Sequence, residues 1–373
     1  MSNILSTIKP AVKRLDPYML KHFSAPVKIN QNENPFDMPE VIKDAVYEAV
    51  VSKAWSRYPE FLPSSLVSQL ADFTQWTGEG ILVGNGSNEL IETLMVVTVE
   101  RGKRVVLPQP TFKLYAMFAK ILGGECIEVY LKPDLEFNIE ALVNASRRAA
   151  LTVICSPNNP TGCMLRQTDL KEILQATEGL VVIDEAYHEF SRQSVVPLLK
   201  QFENLIVLRT FSKAMSMAGL RVGYLLGNPN LVKQISKAKL PYNLNVFSMT
   251  AAGAALKYFD LLQPQIDKVI SERDRLWARL RLIPGVEPFP SQANFIVFRL
   301  TVAPRMVFDA LCQDGVLVRN VSGYPMLSRF LRVSVGLPAE NDRFVASLSS
   351  IMNQYCAKTN LNLGASEVRL NED

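Results

Sequence analysis

Short apolar runs rich in β-branched residues alternate with longer, helix-patterned segments through most of the chain. Strands that are apolar at every position are those buried on both faces, which is typical of a parallel sheet covered by helices. The pattern therefore predicts an α/β fold with a mostly parallel central sheet and helices on both faces. The predicted strands are residues 81–83, 104–107, 126–131, 151–155, 180–184 and 205–208.

The pattern changes after residue 226. Two long helical stretches are predicted, and they lead into a second set of strands that is typical of a smaller α+β domain. The helical stretches cover roughly 228–240 and 246–283, and the strands cover 294–300, 316–319 and 330–335.

This change divides the chain into two expected domains. We expect a large domain at 30–265 and a small domain formed by 1–29 together with 266–357. The remaining segment, 358–373, is polar and is expected to fray.

A helix is predicted directly after the turn at residues 84–86. Ser87 or Asn88 can cap its N-terminus, and residues 89–98 supply its apolar positions. The amides of such a helix start are suited to bind an anion.

The composition favours small-molecule partners. The 373 residues are 48% hydrophobic, which is enough for the core of two or three domains. A net charge of +4, from 40 basic and 36 acidic side chains, is too weak and dispersed to indicate a nucleic-acid or membrane-surface partner. We find neither the apolar stretch of a signal peptide nor the ~20 apolar residues of a membrane span, so a cytoplasmic protein is expected.

Cysteine and histidine are used sparingly. Five cysteines without a Cys-x-x-Cys pair argue against a disulfide framework, and they are interpreted as buried thiols. Two histidines, His22 and His188, lie too far apart to indicate a histidine-built metal site or a Ser-His-Asp hydrolase. No metal is expected, and His188 is interpreted as a structural side chain.

Clusters of polar residues follow several predicted strands. Because the ligand crevice of an open α/β sheet lies at the carboxyl ends of its strands, these clusters are expected to meet at one site. They are GNGSNE (84–89), PTF (110–112), SPNNPTG (156–162), DEAY (184–187), and TFSK (210–213) with GLR (219–221).

Two nucleotide-binding motifs are excluded by the residues that they lack. A P-loop requires G-x-x-x-x-G-K-[ST], but Gly102-Lys103 is followed by Arg104, and Val97 stands at the position of the first glycine. A dinucleotide fingerprint would require a glycine at position 89, which is Glu89.

The residues that remain match the needs of a pyridoxal phosphate enzyme. Such an enzyme requires an amine for covalent attachment, a carboxylate for the pyridine nitrogen, and hydroxyls, amides and a cation for the phosphate. A lysine after one strand, an aspartate at the end of another and an Asn-Pro-rich turn supply this set.

Seven motifs, in the same order as in the family, make the chain similar to fold-type-I aminotransferases and in particular to the histidinol-phosphate aminotransferases. The similarity covers about residues 15 to 345. The motifs are NENP (32–35), RYPE (57–60), GNGSNE (84–89), PNNPTG (157–162), DEAYHEF (184–190), FSKAMSMAGLRVGY (211–224) and LRVSVG (331–336).

The resemblance implies roles for residues around the cofactor ring. Lys213 would hold pyridoxal 5'-phosphate covalently and move the substrate proton, and Asp184 would pair with the ring nitrogen. Asn159 and Tyr187 would bind the ring hydroxyl oxygen. Phe112 would stack on the ring, where the family commonly has tyrosine, so any role for a phenolic hydroxyl is lost.

The resemblance also implies a phosphate site and a homodimer. Tyr58 of the RYP motif would reach the cofactor phosphate of the partner subunit, which implies a composite active site. Asn88 replaces the family's usual aspartate, which matters little if the contact is made through the backbone. The other implied phosphate-binding residues are Gly86, Ser87, Thr210, Ser212 and Arg221.

Substrate recognition would depend on Tyr18, Arg319 and Arg332, at the positions where the family binds the anionic group of its substrate. A guanidinium binds carboxylate and phosphate equally well, so the substrate stays open at this point. The expected reaction is transamination between L-histidinol phosphate and 2-oxoglutarate, a step of histidine biosynthesis. An aromatic amino acid aminotransferase and a threonine-phosphate decarboxylase are the alternatives.

Overall fold

The computed structural model of the chain describes residues 4–16 and 25–368. Tyr18 and His22 lie outside the described residues. The strands, in chain order, are β1 (Val27–Lys28), β2 (Ile81–Gly84), β3 (Arg104–Gln109), β4 (Glu125–Tyr130), β5 (Leu151–Cys155), β6 (Leu180–Asp184), β7 (Leu205–Thr210), β8 (Gly223–Gly227), β9 (Val286–Pro288), β10 (Phe295–Leu300), β11 (Val316–Leu317), β12 (Arg319–Asn320) and β13 (Phe330–Ser334).

Helices lie between most of these strands. They are α1 (Pro10–Lys13), α2 (Glu40–Val51), α3 (Ser64–Thr74), α4 (Ser87–Thr98), α5 (Lys113–Leu122), α6 (Ile139–Ser146), α7 (Gln167–Ala176), α8 (His188–Ser191), α9 (Pro229–Ile235), α10 (Val246–Lys257), α11 (Phe259–Leu280), α12 (Pro304–Gln313) and α13 (Pro338–Val368). Short 3-10 helices are formed by Ile4–Thr7, Gly78–Gly80, Val196–Lys200, Ala218–Leu220 and Ser236–Ala238.

A seven-stranded sheet forms the centre of the larger part of the molecule, in the order β2-β8-β7-β6-β5-β3-β4. All neighbours are parallel except β8, which runs antiparallel to β2 and to β7. Each of the six predicted strands is present. Alternate residues of β7 belong to different cores, with Leu205 and Val207 on one face and Ile206 and Leu208 on the other. The predicted sheet covered on both faces is therefore confirmed.

The antiparallel strand β8 was not predicted. The connection from β7 to β8 contains only the 3-10 turn Ala218–Leu220, instead of the covering helix that usually joins parallel neighbours. Apolar pattern predicts that a segment is a buried strand, but it carries no information on the direction of that strand.

A four-stranded antiparallel sheet, ordered β12-β13-β10-β9, forms the smaller α+β part. The single strand predicted at 316–319 is wrong in detail, because it divides between two sheets. Val316–Leu317 pairs in parallel with β1, and Arg319–Asn320 pairs with β13. This division places Arg319 directly opposite Arg332.

The predicted long helices are also divided. The stretch at 228–240 contains only α9 and a 3-10 turn, and the stretch at 246–283 is broken at Tyr258 into α10 and α11. Helix α11 connects the two parts of the molecule, since Leu262 packs in a core of the large sheet and Leu276 in the core of the small sheet. Helix α13 extends to Val368 and so includes part of the polar segment that was expected to fray.

Among the cysteines with described side chains, Cys155 and Cys163 are buried and Cys126 and Cys312 are half-buried; all four are free thiols. His188 contacts the Glu185 carbonyl through Nδ1 at 3.0 Å and Glu189 at 3.1 Å. Within the described residues, no helix is both long and apolar enough to cross a membrane.

A buried ion pair anchors the region behind the ends of β6 and β7. The guanidinium of Arg209 lies 2.9 Å from the carboxylate of Glu185, and the two side chains are only 6% and 2% exposed. The other oxygen of Glu185 accepts a hydrogen bond from the Val195 amide at 2.6 Å. Both charges are therefore compensated inside the protein.

Arg209→Met should destabilise the fold strongly, because it leaves the Glu185 charge buried without its cation. The expected loss in the free energy of unfolding is about 3–5 kcal/mol, measured by urea denaturation. The control is Arg305→Met, which breaks the exposed pair with Asp309 and should cost less than about 1 kcal/mol. Equal losses in the two variants would contradict this interpretation.

Candidate active site

The carboxyl ends of the central parallel strands open onto a cavity of about 510 Å³. The cavity lies at the edge where open α/β sheets bind ligands. Most of the residues predicted from the sequence line it, although they come from segments far apart in the chain. They are Ser87, Asn88, Phe112, Asn159, Asp184, Tyr187, Thr210, Ser212, Lys213, Arg221, Arg319 and Arg332.

Lys213 lies three residues beyond the end of β7. Its Nζ donates a hydrogen bond to the Gln31 carbonyl at 3.2 Å and lies 5.8 Å from the centre of the Tyr187 ring. Desolvation, with the positive charge of Arg332, lowers the pKa of Lys213 to about 8. A larger fraction of the amine is thus uncharged near neutral pH, which makes it a better nucleophile.

Asp184 is the last residue of β6 and is only 4% exposed. Its Oδ1 accepts a hydrogen bond from the Ala186 amide at 3.0 Å, and its Oδ2 accepts one from the Tyr115 hydroxyl at 2.6 Å. Burial raises the pKa of Asp184 to about 6 despite these bonds. A cationic group brought into the cavity would favour the ionised carboxylate.

Tyr187 and Asn159 present hydrogen-bonding groups on the same side of the cavity as Arg332. The Tyr187 hydroxyl accepts a bond from Asn32 Nδ2 at 3.0 Å, and the Asn159 side-chain oxygen accepts one from Arg332 at 2.5 Å. Burial raises the pKa of Tyr187 well above its usual range, so its hydroxyl stays protonated. Phe112 supplies an aromatic face that is held edge-on by Tyr115, with ring centres 5.6 Å apart.

An anion cradle is formed where α4 begins. Gly86 has φ +77°, and a Cβ on it would lie 2.6 Å from the Arg221 guanidinium. Arg221 in turn donates to the Ser212 hydroxyl at 3.1 Å, and the Ser212 amide donates to the Thr210 hydroxyl at 3.1 Å. Amides at a helix start, hydroxyls and a guanidinium together suit a phosphate dianion.

The predicted side-chain cap of α4 is wrong. Gly86 occupies the N-cap position, and no side chain caps the helix. The positive φ at this position favours glycine, and the side chains of Ser87 and Asn88 border the cavity instead.

Two arginines on neighbouring strands line the cavity. Arg319 and Arg332 are register partners on β12 and β13, and both line the cavity. Arg332 also donates to the Asn30 carbonyl at 3.0 Å and lies 5.0 Å from the centre of the Phe295 ring. Like charges directly opposite each other on a sheet are destabilising, so this pair is suited to an anionic ligand.

Tyr58 is not part of this cavity. Its side chain is 82% exposed and stacks on Tyr242 with ring centres 4.7 Å apart. It borders a separate cavity of about 520 Å³ between α2, α3 and α10. Within its own chain, Tyr58 therefore does not reach the residues around Lys213.

Several residues of the cavity were not identified from the sequence. Tyr115 follows Phe112 by one helical turn, and this spacing is the signal that could have indicated it. Asn32 belongs to the NENP motif, which was recognised but given no role. Asn30, Gln31 and Tyr324 lie in segments without a distinctive pattern.

Comparison with known proteins places this geometry in a family. Residues 25–348 match the family described as aminotransferase class I and II. The chain is 38% identical to the histidinol-phosphate aminotransferase of Chlorobium phaeovibrioides over 94% of this chain and 98% of that one. It is 39% identical to the enzyme of the same name from Chlorobaculum parvum, over 92% and 98% of the two chains.

The chain belongs to the class I and II aminotransferases. A solved structure similar to this aminotransferase is the histidinol-phosphate aminotransferase from Sinorhizobium meliloti in complex with pyridoxal-5'-phosphate, with a TM-score of 0.84 and 25% identity over 94% of this chain and 98% of that one. The L-threonine-O-3-phosphate decarboxylase from Porphyromonas gingivalis has a TM-score of 0.76 at 22% identity, over 88% and 99% of the two chains, so it shares the fold alone.

The cofactor of this aminotransferase is pyridoxal phosphate, and the cavity fits it. Gly86 keeps open the space beside Arg221 that a Cβ would fill, and the amides and hydroxyls around it suit a phosphate. Lys213 has the amine that covalent attachment requires, and Asp184 has the carboxylate that a protonated pyridine nitrogen requires.

Asp184→Asn should change how the stability of the cofactor-free protein depends on pH. Because the pKa of Asp184 is raised from 3.8 to about 6, the folded state binds more protons there than the unfolded state in this window. Stability therefore falls as pH rises through it. The variant should gain about 1 kcal/mol relative to wild type between pH 5 and pH 7, measured by urea unfolding. A difference that does not change with pH would contradict the burial of an ionisable group here.

Proposed function

We propose that this aminotransferase exchanges an amino group between L-histidinol phosphate and 2-oxoglutarate, giving imidazole acetol phosphate and L-glutamate. The observation that carries the proposal is the guanidinium pair, Arg319 and Arg332, facing the cavity that contains Lys213. A phosphate monoester at one end of the substrate would bind the pair while its amine lies near Lys213. The names of the 38–39% identical relatives support the same substrate.

When bound, pyridoxal phosphate supplies an aldehyde for the substrate amine and an electron-accepting ring. Lys213 would hold it through Nζ and, once released, would move a proton between the amine-bearing carbon of the substrate and carbon C4′ of the cofactor. The lowered pKa of Lys213 supports this role, because a base must be uncharged before it accepts a proton. Asp184 would accept a charge-assisted hydrogen bond from the ring nitrogen.

The remaining predicted residues would bind and orient the cofactor. Tyr187 and Asn159 would donate to the ring hydroxyl oxygen, and Phe112 would cover one face of the ring. The cradle around Gly86 would hold the cofactor phosphate through the amides of Ser87 and Asn88, through Thr210 and Ser212, and through Arg221. Tyr18 lies outside the described residues, so its contact with the substrate stays a prediction.

The same guanidinium pair would serve both half-reactions. The distal carboxylate of 2-oxoglutarate and the phosphate of histidinol phosphate are both anionic groups joined to the reacting carbon by a short chain of atoms. Arginine binds either group through two parallel hydrogen bonds. One pocket would therefore accept both substrates in turn.

We further propose a cytoplasmic homodimer with composite active sites. Tyr58 lies in an exposed apolar segment with Trp55, Phe61 and Leu62, which are 74%, 56% and 63% exposed. Large apolar side chains exposed close together in the chain are typical of interaction sites. If a second copy of the chain covers this surface, Tyr58 of each copy would lie near the cofactor phosphate bound by the other copy.

The substrate assignment predicts a particular order of specificity constants. Wild-type protein should have a higher kcat/KM for histidinol phosphate than for phenylalanine or threonine phosphate. Arg332→Lys and Arg319→Lys should each lower it about 10- to 100-fold, because a charge-assisted bond contributes roughly 1.5–3 kcal/mol and lysine lacks the planar fork. The control is Arg299→Lys, an exposed arginine of β10 that pairs with Glu287.

Other outcomes of this substrate panel would reassign the enzyme. A wild-type preference for phenylalanine would indicate an aromatic amino acid aminotransferase. Release of CO2 from threonine phosphate would indicate a decarboxylase. Unchanged kinetics in both arginine variants would show that the anion binds elsewhere in the chain.

The composite site is tested by mixing two inactive proteins. Lys213→Ala and Tyr58→Ala should each lose most activity alone, whereas hybrid dimers should regain one intact site. Tyr58→Phe should release the cofactor more readily than wild type, and Tyr130→Phe, an exposed tyrosine on the edge strand β4, should not. No recovery, after subunit exchange has been demonstrated by mass spectrometry, would count against sharing between subunits.

A further inference from the structure

Tyr115 is a buried side chain of the cavity that the proposed function leaves without a role. It lies on α5, is 0% exposed, and donates its hydroxyl proton to Asp184 Oδ2 at 2.6 Å. Its ring also meets Phe112 edge-on, with an angle of 82° between the ring planes. One residue thus contacts both the carboxylate and the aromatic face of the site.

The hydroxyl of Tyr115 makes a contact with Asp184 that the local backbone does not supply. The Ala186 amide binds the other oxygen, Oδ1, from within the turn that follows β6. If the hydrogen bond from the Ala186 amide were the only one, the carboxylate group of Asp184 could still rotate about Oδ1. The bond from α5, on a separate element, fixes the second oxygen.

Some of the groups around Asp184 raise the pKa of its carboxyl group and others lower it. Burial raises the pKa of Asp184, and the negative charge of Glu185 adds to this effect. The Tyr115 hydrogen bond, the Ala186 amide and the positive charge of Lys213 lower it, and the Tyr115 bond is the largest of these. Cys155, the register partner of Asp184 on β5, is a buried thiol whose own pKa is raised well above its usual range, so it stays neutral.

Tyr115 is suited to be a permanent donor. Burial, together with the charge of Asp184, raises the pKa of its hydroxyl well above the usual value. It therefore remains protonated wherever the enzyme works. A neutral, fixed hydroxyl stabilises a carboxylate without competing for the cation that the carboxylate has to bind.

We propose that Tyr115 is a positioning residue that keeps Asp184 as a carboxylate and aims it at the pyridine nitrogen of the cofactor. The claim that Asp184 is aimed at the pyridine nitrogen rests on the proposed function. The claim that Tyr115 keeps Asp184 as a carboxylate concerns the chain alone and can be tested without cofactor.

The test is Tyr115→Phe, which keeps the ring against Phe112 and removes only the hydroxyl. In cofactor-free protein, the upper limit of the pH range over which Asp184→Asn gains stability relative to its parent should rise by about one unit, the size expected for a hydrogen bond to a charged group. The matched control is Tyr224→Phe. Tyr224 is equally buried and accepts a bond from Arg209 at 3.5 Å, but does not line the cavity.

Cofactor-loaded protein provides the second measurement. In Tyr115→Phe, kcat should fall about tenfold or more while KM for the amino donor changes less than about twofold. The ¹⁵N chemical shift of labelled cofactor should move toward that of the unprotonated ring. In an Asp184→Asn background, Tyr115→Phe should cause no further loss, because it acts through the missing carboxylate.

Two results would overturn the proposal: an unchanged pH window in the cofactor-free variant, or a full additional loss of kcat in the Asp184→Asn background. If Tyr115→Phe did not fold, 3,5-difluorotyrosine at position 115 would be a stronger donor. It should move the upper limit of this pH range to lower pH, and an unmoved limit would again refute the role. Lack of transamination by the wild type would reject the proposed function and leave the cofactor-free measurement valid.

Discussion

The burial of a carboxylate and an amine in one cavity is the constraint on which the rest of the site depends. Desolvation disfavours the charged form of each group, so the pKa of Asp184 rises to about 6 while that of Lys213 falls to about 8. The two values approach each other and bracket neutral pH. The removal of water therefore makes the Lys213 ammonium group release its proton more readily, and it makes Asp184 depend on a nearby cation to stay ionised.

This desolvation is tolerated because fixed dipoles replace the lost solvent. The Tyr115 hydroxyl and the Ala186 amide bind Asp184, and the Gln31 carbonyl accepts a bond from Lys213. Behind the strand ends, the buried pair of Glu185 and Arg209 holds the adjoining backbone in place. Partners of this kind do not need to reorganise when charge moves in the cavity, which is the basis of electrostatic catalysis.

The remaining charges of the cavity are mostly positive and come from different parts of the fold. Arg221 precedes β8 and α4 follows β2, so both adjoin strands of the large sheet, whereas Arg319 and Arg332 lie on strands of the small antiparallel sheet. Both Arg221 and Arg332 lie close enough to Lys213 to help lower the pKa of its amine. A cofactor and a substrate that each carry a phosphate would satisfy both positive regions, and the small antiparallel sheet contributes the second region.

The sequence by itself determined the six strands flanked by helices and the motifs around Lys213, because period and residue type follow from local chemistry. It also indicated the cavity residues, since parallel strands end at one edge. Only the tertiary structure decided the direction of β8, the division of residues 316–319 and the contact of Tyr115 with Asp184. These features depend on pairing and packing between segments distant in the chain, and residue order alone does not specify the distance between two such side chains.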